Sequence, residues 1–200
     1  MNINTIISDA LESSMPYEQY RALVESHVHN DSNTGAEVTE ALAEYTKLNH
    51  QRMRRHNKKM ELTQESLKFL TGFDKQIKLL CITESWCGDA AQTMPMINKV
   101  AVAGGMDFRI VLRDENLELM DQFLTNGNRS IAKLIFVDST TNSPLATWGP
   151  RPTVATRLVA AEKEAKGSLS PEFKQELQNW YNKDKGKSTE ADLVKIMQAL

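Results

Sequence analysis

The stretch CITESWCGDAAQTMP, residues 81–95, decides how the rest of the chain is read. Its first residues close an apolar run, 77–83, that lacks polar alternation, as expected of a short strand buried on both faces. From Gly88 the pattern becomes helical through residue 102, with Gly104-Gly105 as the stop. Cys87 falls at the junction. Asp89 sits in the first turn, where unpaired backbone N–H groups and the helix dipole favour a carboxylate.

Downstream, residues 107–112 read as a second strand and 115–124 as a helix ended by Asn126-Gly127. Residues 132–137, a polar turn over 138–144 and residues 145–148 form a hairpin. Gly149-Pro150-Arg151-Pro152 then leads into another helix. A strand-helix-strand unit requires a parallel pair and a hairpin adds antiparallel strands. The expectation is an α/β fold with a mixed β-sheet flanked by helices.

On either side the period is helical. Tyr17, Tyr20, Val24 and Val28 form one stripe, and Val38, Leu42, Tyr45 and Leu48 another, separated by the loop composition of 30–35. Thr63 is a candidate cap for a helix that Gly72 ends. Ser170-Pro171 opens a helix bearing Phe173, Leu177, Trp180 and Tyr181, and Ser188 is expected to cap a terminal helix bearing Leu193, Ile196, Met197 and Leu200. All these stripes are read as packing surfaces. The division is residues 1–74 as a helical N-terminal extension packed on the core, 75–165 as the core and 166–200 as C-terminal helices, together one compact domain.

A net charge of −2 with 25% charged residues gives no global attraction to nucleic acid or to an anionic membrane. No apolar run approaches the roughly 20 residues that span a bilayer, and the first 14 residues do not read as a secretory signal. Two cysteines argue against a disulfide framework and suit a reducing cytosol, so a cytoplasmic protein is expected.

Trp86-Cys87-Gly88 at a strand-to-helix junction, Pro95 eight positions beyond Cys87, the strand order and Gly149 after the hairpin together resemble the thioredoxin-like superfamily over residues 75–165. The run from Glu84 to Asp89, with Trp148-Gly149-Pro150-Arg151-Pro152, is similar to a bacterial group of thioredoxin-like proteins that carry a helical N-terminal extension. The resemblance implies a redox site with Cys87 as attacking thiol and Glu84, Trp86, Gly88, Asp89, Ala90, Ile131, Ala132 and Arg151 around it. It also marks three departures. Ala90 stands where the resolving cysteine belongs, Cys81 where a buried acid assists proton transfer, and Ala132 where a cis-proline precedes a strand.

A dithiol oxidoreductase needs a second thiol to release its mixed disulfide, and Ala90 cannot supply one. Cys81 lies six residues back, up to about 20 Å away if the chain is extended, far beyond the reach of a disulfide. It reads as a buried, inert thiol. A cis bond before Ala132 costs about 2.5–4 kcal/mol, so Ile131–Ala132 is expected to be trans. For Cys87 the helix start favours a thiolate, while Asp89 and Glu84 oppose it by like charge, leaving the sign of its pKa shift open. Trp86 is either a lid beside the thiol or a core-edge aromatic. Arg151 is placed to face the rim, or only to turn the chain.

The basic run 52–59 is diluted by nearby acids, lacks a stacking-aromatic pattern and reads as one solvated helix end. The histidines have no metal-ligand spacing. No metal, cofactor, nucleic acid or membrane is therefore expected. Two functions remain. One is monothiol redox chemistry at Cys87 on a protein disulfide or low-molecular-weight thiol, resolved by an external thiol. The other is a non-catalytic thioredoxin-fold binding or scaffold protein. The oligomeric state is not legible.

Overall fold

The computed structural model describes residues 2–200. Among these, nine helices surround one five-stranded mixed sheet. The central strands come from the apolar runs: β2 (Ile77–Thr83), β3 (Asp107–Leu112), β4 (Lys133–Asp138) and β5 (Pro144–Trp148). β2 pairs parallel with β3 and antiparallel with β4, which forms the hairpin with β5. β2 is closed in on both faces, with Leu79, Leu80, Cys81 and Ile82 fully buried, which is why its sequence shows no alternation.

The fifth strand, β1 (Met15–Pro16), adds antiparallel to β3 at the sheet edge. Two residues leave no periodicity to read, and an edge tolerates the missing N–H of proline. Arg109 Nε and Nη2 donate to the hydroxyl and carbonyl of Ser14 (2.9 and 2.7 Å), pinning this edge. Before it runs α1 (Ile3–Ser13), which buries Ile6, Ile7 and Ala10; behind it runs α2 (Tyr17–His29), which buries Tyr17, Tyr20 and Val24.

α3 (Glu40–Lys59) corrects the expected stripe. Val38, Tyr45 and Leu48 are exposed at 63, 52 and 40%. The inward face instead holds Ala43, Thr46, Asn49, Met53 and His56. Polar side chains turn in because Asn49 and Thr46 bond Ser85 of the loop before α5 and His56 bonds Gln92 of α5, as described below. The basic run is the end of α3, with Arg54, Arg55, Lys58 and Lys59 exposed and Met53 and His56 turned inside. α4 (Gln64–Thr71) begins at Thr63, whose hydroxyl accepts the N–H of Ser66, and ends at Gly72. α5 (Gly88–Ala103) is buried from Ala90 to Ile97 and packs on α3 and α9.

After α6 (Leu117–Gln122) and the hairpin come α7 (Thr153–Lys166), α8 (Pro171–Asp184) and α9 (Lys187–Ala199). Ala155, Val159, Leu177 and Tyr181 make a small second core. Ser188 is not the cap of α9. The helix starts one residue earlier behind Gly186 (φ 80°), and the Ser188 hydroxyl donates back to Asp184 Oδ1 (2.5 Å). Asp192 of α9 accepts from Trp148 Nε1 and the Thr153 N–H, locking the end of the sheet to the start of α7.

Candidate functional site: a buried cysteine at a knotted junction

Cys87 is the N-cap of α5. Its N–H donates to the Glu84 carbonyl (3.0 Å), and its sulfur accepts the N–H of Ala90 (3.4 Å). Only 6% of the residue is exposed, so the thiol is buried. Burial pushes its pKa up to about 12, and Asp89 adds to the rise. The N–H groups of Ala90 and Asp89 and the Thr83 hydroxyl act the other way and do not offset it. Desolvation of a charge outweighs a few dipoles here. Cys81 is fully buried in β2, in register with Ile110 and Leu134, and its thiol is likewise pushed up by burial; both cysteines are free. Ala90 is buried in the first turn of α5.

The three residues before Cys87 are tied to the loop between α2 and α3. Thr34 N–H donates to Ser85 Oγ (3.0 Å), and Ser85 N–H donates to Thr34 Oγ1 (2.8 Å). Trp86 Nε1 donates to the Thr34 carbonyl (3.0 Å). From α3, Asn49 Nδ2 donates to the Ser85 carbonyl (3.0 Å), and the Thr46 and Ser85 hydroxyls share a bond of 2.8 Å. Half-buried Trp86 thus has its polar end fixed by the loop, with Arg113 stacked 5.0 Å over its ring. Gly35 (φ 101°) is required: a Cβ there would stand 2.8 Å from Asp114 Oδ2 and 3.4 Å from both Glu84 Oε2 and Trp86 Nε1.

Glu84 does not act on the thiol as expected. Its buried carboxylate accepts from the Thr34 hydroxyl and from the Asp114 N–H (3.0 Å). Burial raises its pKa in spite of these bonds. Asp89 is bound on its other side. Arg151 Nη2 lies 2.7 Å from Asp89 Oδ2, and the Tyr181 hydroxyl donates to Oδ1 (3.1 Å). Burial raises the Asp89 pKa and Arg151 is the strongest opposing influence. The Gly149–Pro150 bond that positions Arg151 is cis.

The Ile131–Ala132 bond is also cis, which corrects the trans expectation. That expectation weighed only the local cost. Ala132 is 1% exposed, and its carbonyl is packed so closely on Gly149 (φ 107°) that any Cβ there would collide with it.

Gly88 opens α5 beside Arg52, whose Nη1 would lie 3.5 Å from a Cβ at that position. A cleft of about 550 Å³ opens here between α3 and α8, lined by Tyr45, Arg52, Trp86, Gly88, Lys174 and Gln178 among others. Below it His56 Nε2 bonds Gln92 Oε1, and Gln92 Nε2 donates to Gln178 Oε1 (2.6 Å). Burial depresses the His56 pKa to about 4.

The expected site residues thus fall in two groups. Glu84, Trp86, Cys87, Gly88, Asp89 and Ala90 form the junction with Arg151 on it, while Ala132 packs against Gly149 and Ile131 beside it is buried. Missed were Thr34, Gly35, Thr46, Asn49, Ser85, Asp114 and Tyr181. The available signal was the series Thr46, Asn49, Met53, His56, a helical spacing of small and polar residues passed over for the more apolar stripe beside it.

A family model described as Thioredoxin matches residues 35–166, so this chain belongs to the thioredoxin family. No curated protein matches it. Among solved structures it is similar to a protein of unknown function from Pseudomonas aeruginosa, at 16% identity and TM-score 0.59 over 76% of this chain and 85% of that one. It is also similar to an HIV epitope scaffold, at 14% identity and TM-score 0.59 over 79% of this chain and 92% of that one. At these identities the likeness is one of fold.

Proposed function

We propose that this chain is a thioredoxin-fold binding protein in which the former redox junction serves as a structural hub and turns over no disulfides. One observation carries the reading: the Cys87 thiol is buried, and that burial pushes its pKa up to about 12 in spite of the Ala90 N–H it accepts. A thiol held that far above its ordinary range is protonated at pH 7, and the thiolate is the nucleophile in disulfide exchange. Ala90 offers no second thiol. The residues that would have surrounded a reacting sulfur are committed elsewhere: Trp86 to Thr34, Glu84 to Thr34 and Asp114, Asp89 to Arg151 and Tyr181.

On this reading the stretches 1–74, 75–165 and 166–200 work as one unit, because the first and last supply the hub's partners. We also place the chain in the bacterial thioredoxin-like group with a helical extension that residues 84–89 resemble, acting in the cytoplasm. Support for a monothiol activity on a protein disulfide or small thiol comes from the N–H groups of the α5 start, which favour a thiolate.

The two readings separate when the native protein is incubated with hydroxyethyl disulfide and weighed by mass spectrometry. The expected result is no adduct on Cys87. An adduct that forms on the folded protein, is released by added thiol and disappears in Cys87→Ser would overturn the proposal.

A further inference from the structure

The cleft between α3 and α8 lies outside the minimal fold, since both helices belong to the added segments, yet it opens on the junction through Trp86 and Gly88. Its volume of about 550 Å³ falls in the range of small-molecule sites, about 300–1,000 Å³. Leu42, Tyr45, Trp86 and Pro171 give it an apolar and aromatic wall. Arg52 and Lys174 supply positive charge, and among the described residues no carboxylate lines it.

Arg52 is the unusual member. It is partly buried, burial and the neighbouring Arg55 lower its pKa, and among the described residues it forms no ion pair. Among the described residues its one protein hydrogen bond is from Nη1 to Asn49 Oδ1 (3.0 Å). The nearby Asp89 does not serve it, because Arg151 and Tyr181 occupy both carboxylate oxygens. Withdrawing a guanidinium from water without an anion is unfavourable, while its flat fork matches a carboxylate in two parallel bonds. The wall beside it carries two aromatic rings and no competing acid.

We infer that this cleft binds a small organic anion, an aromatic or similarly apolar body carrying one carboxylate, with Arg52 and Lys174 holding the carboxylate and Tyr45, Leu42 and Trp86 covering the body. The inference rests on the binding-protein reading. It makes the charge, not the apolar area, the discriminating element, because a neutral ligand of the same shape leaves Arg52 unpaired.

The probes are 2-naphthoate and its uncharged analogue 2-naphthalenemethanol, titrated calorimetrically into the full chain. The acid should bind at one site, roughly 10-fold or more tighter than the alcohol, and weaken with added salt. Arg52→Gln should erase that preference, and Lys174→Gln, an exposed change that leaves the fold untouched, should reduce it. No saturable binding of the acid, equal binding of acid and alcohol, or an unchanged preference in a folded Arg52→Gln protein would each overturn the inference. Disulfide reactivity of Cys87 is read on the same sample. If the acid fails to bind while Cys87 stays inert, only the ligand assignment falls; if Cys87 reacts, the underlying reading falls.

Discussion

Thr34 and Ser85, 51 residues apart, exchange hydrogen bonds in both directions: the N–H of each donates to the hydroxyl of the other, at 3.0 and 2.8 Å. Both are buried, Thr34 at 4% and Ser85 at 1% exposure. Through this pair the helical extension closes the loop that presents Cys87. The Thr34 hydroxyl also donates to the carboxylate of Glu84. Thr34→Val keeps the shape and the N–H bond to Ser85 but removes both bonds of the hydroxyl, leaving the buried Ser85 N–H and a Glu84 carboxylate oxygen short of partners. The expected loss is about 2–4 kcal/mol, measured as a fall in the urea midpoint at unchanged slope.

Gly35→Ala tests the same contact from the other direction. At φ 101° a side chain is strained, and its Cβ would meet Asp114 Oδ2 at 2.8 Å. A destabilisation of about 1–3 kcal/mol is expected. A midpoint unchanged from wild type would show that the loop does not hold this position in solution.

The buried His56 gives a pH dependence with a definite sign. Its folded pKa is about 4 against an ordinary 6.5, so between these values the unfolded chain binds the extra proton. Stability from this residue is therefore present above pH 6.5 and lost as the pH falls toward 4, by about 2–3 kcal/mol. The raised carboxyls of Glu84 and Asp89 act in the opposite sense, contributing most at low pH. The readout is thus the difference between wild type and His56→Gln, whose stability should fall less across that window.

Restoring the missing thiol should not restore catalysis. In Ala90→Cys, Cys87 remains buried and protonated, and without a thiolate a nearby partner has nothing to resolve. Insulin reduction by this variant is expected to stay at the background rate. A gain of turnover would place the block at residue 90 alone.

How much of this was legible beforehand follows from which residues speak locally. Strands β2 to β4 were readable because each carries a short, mainly apolar run, and Thr63 and Gly72 mark α4 by backbone chemistry that needs no neighbours. The junction of Cys87 with α5 was readable too, the helix expected over 88–102 running over Gly88–Ala103. What could not be read depends on contacts distant in sequence. Thr46 and Asn49 are ordinary helix-surface residues until Ser85, 39 and 36 positions away, takes their bonds. The sign of the Cys87 shift turned on burial, which the flanking charges do not reveal. The cis bond at Ala132 sits where its carbonyl meets Gly149, a contact distant in sequence that no local propensity contains.

The central claim concerns one proton, and titrating Cys87 in the folded chain tests it most directly. In a Cys81→Ser background, ultraviolet absorbance of the thiolate followed against pH should show Cys87 ionising near the upper limit of native conditions, in keeping with a pKa of about 12. A midpoint at about 6–7, the range of reactive redox cysteines, would contradict the account.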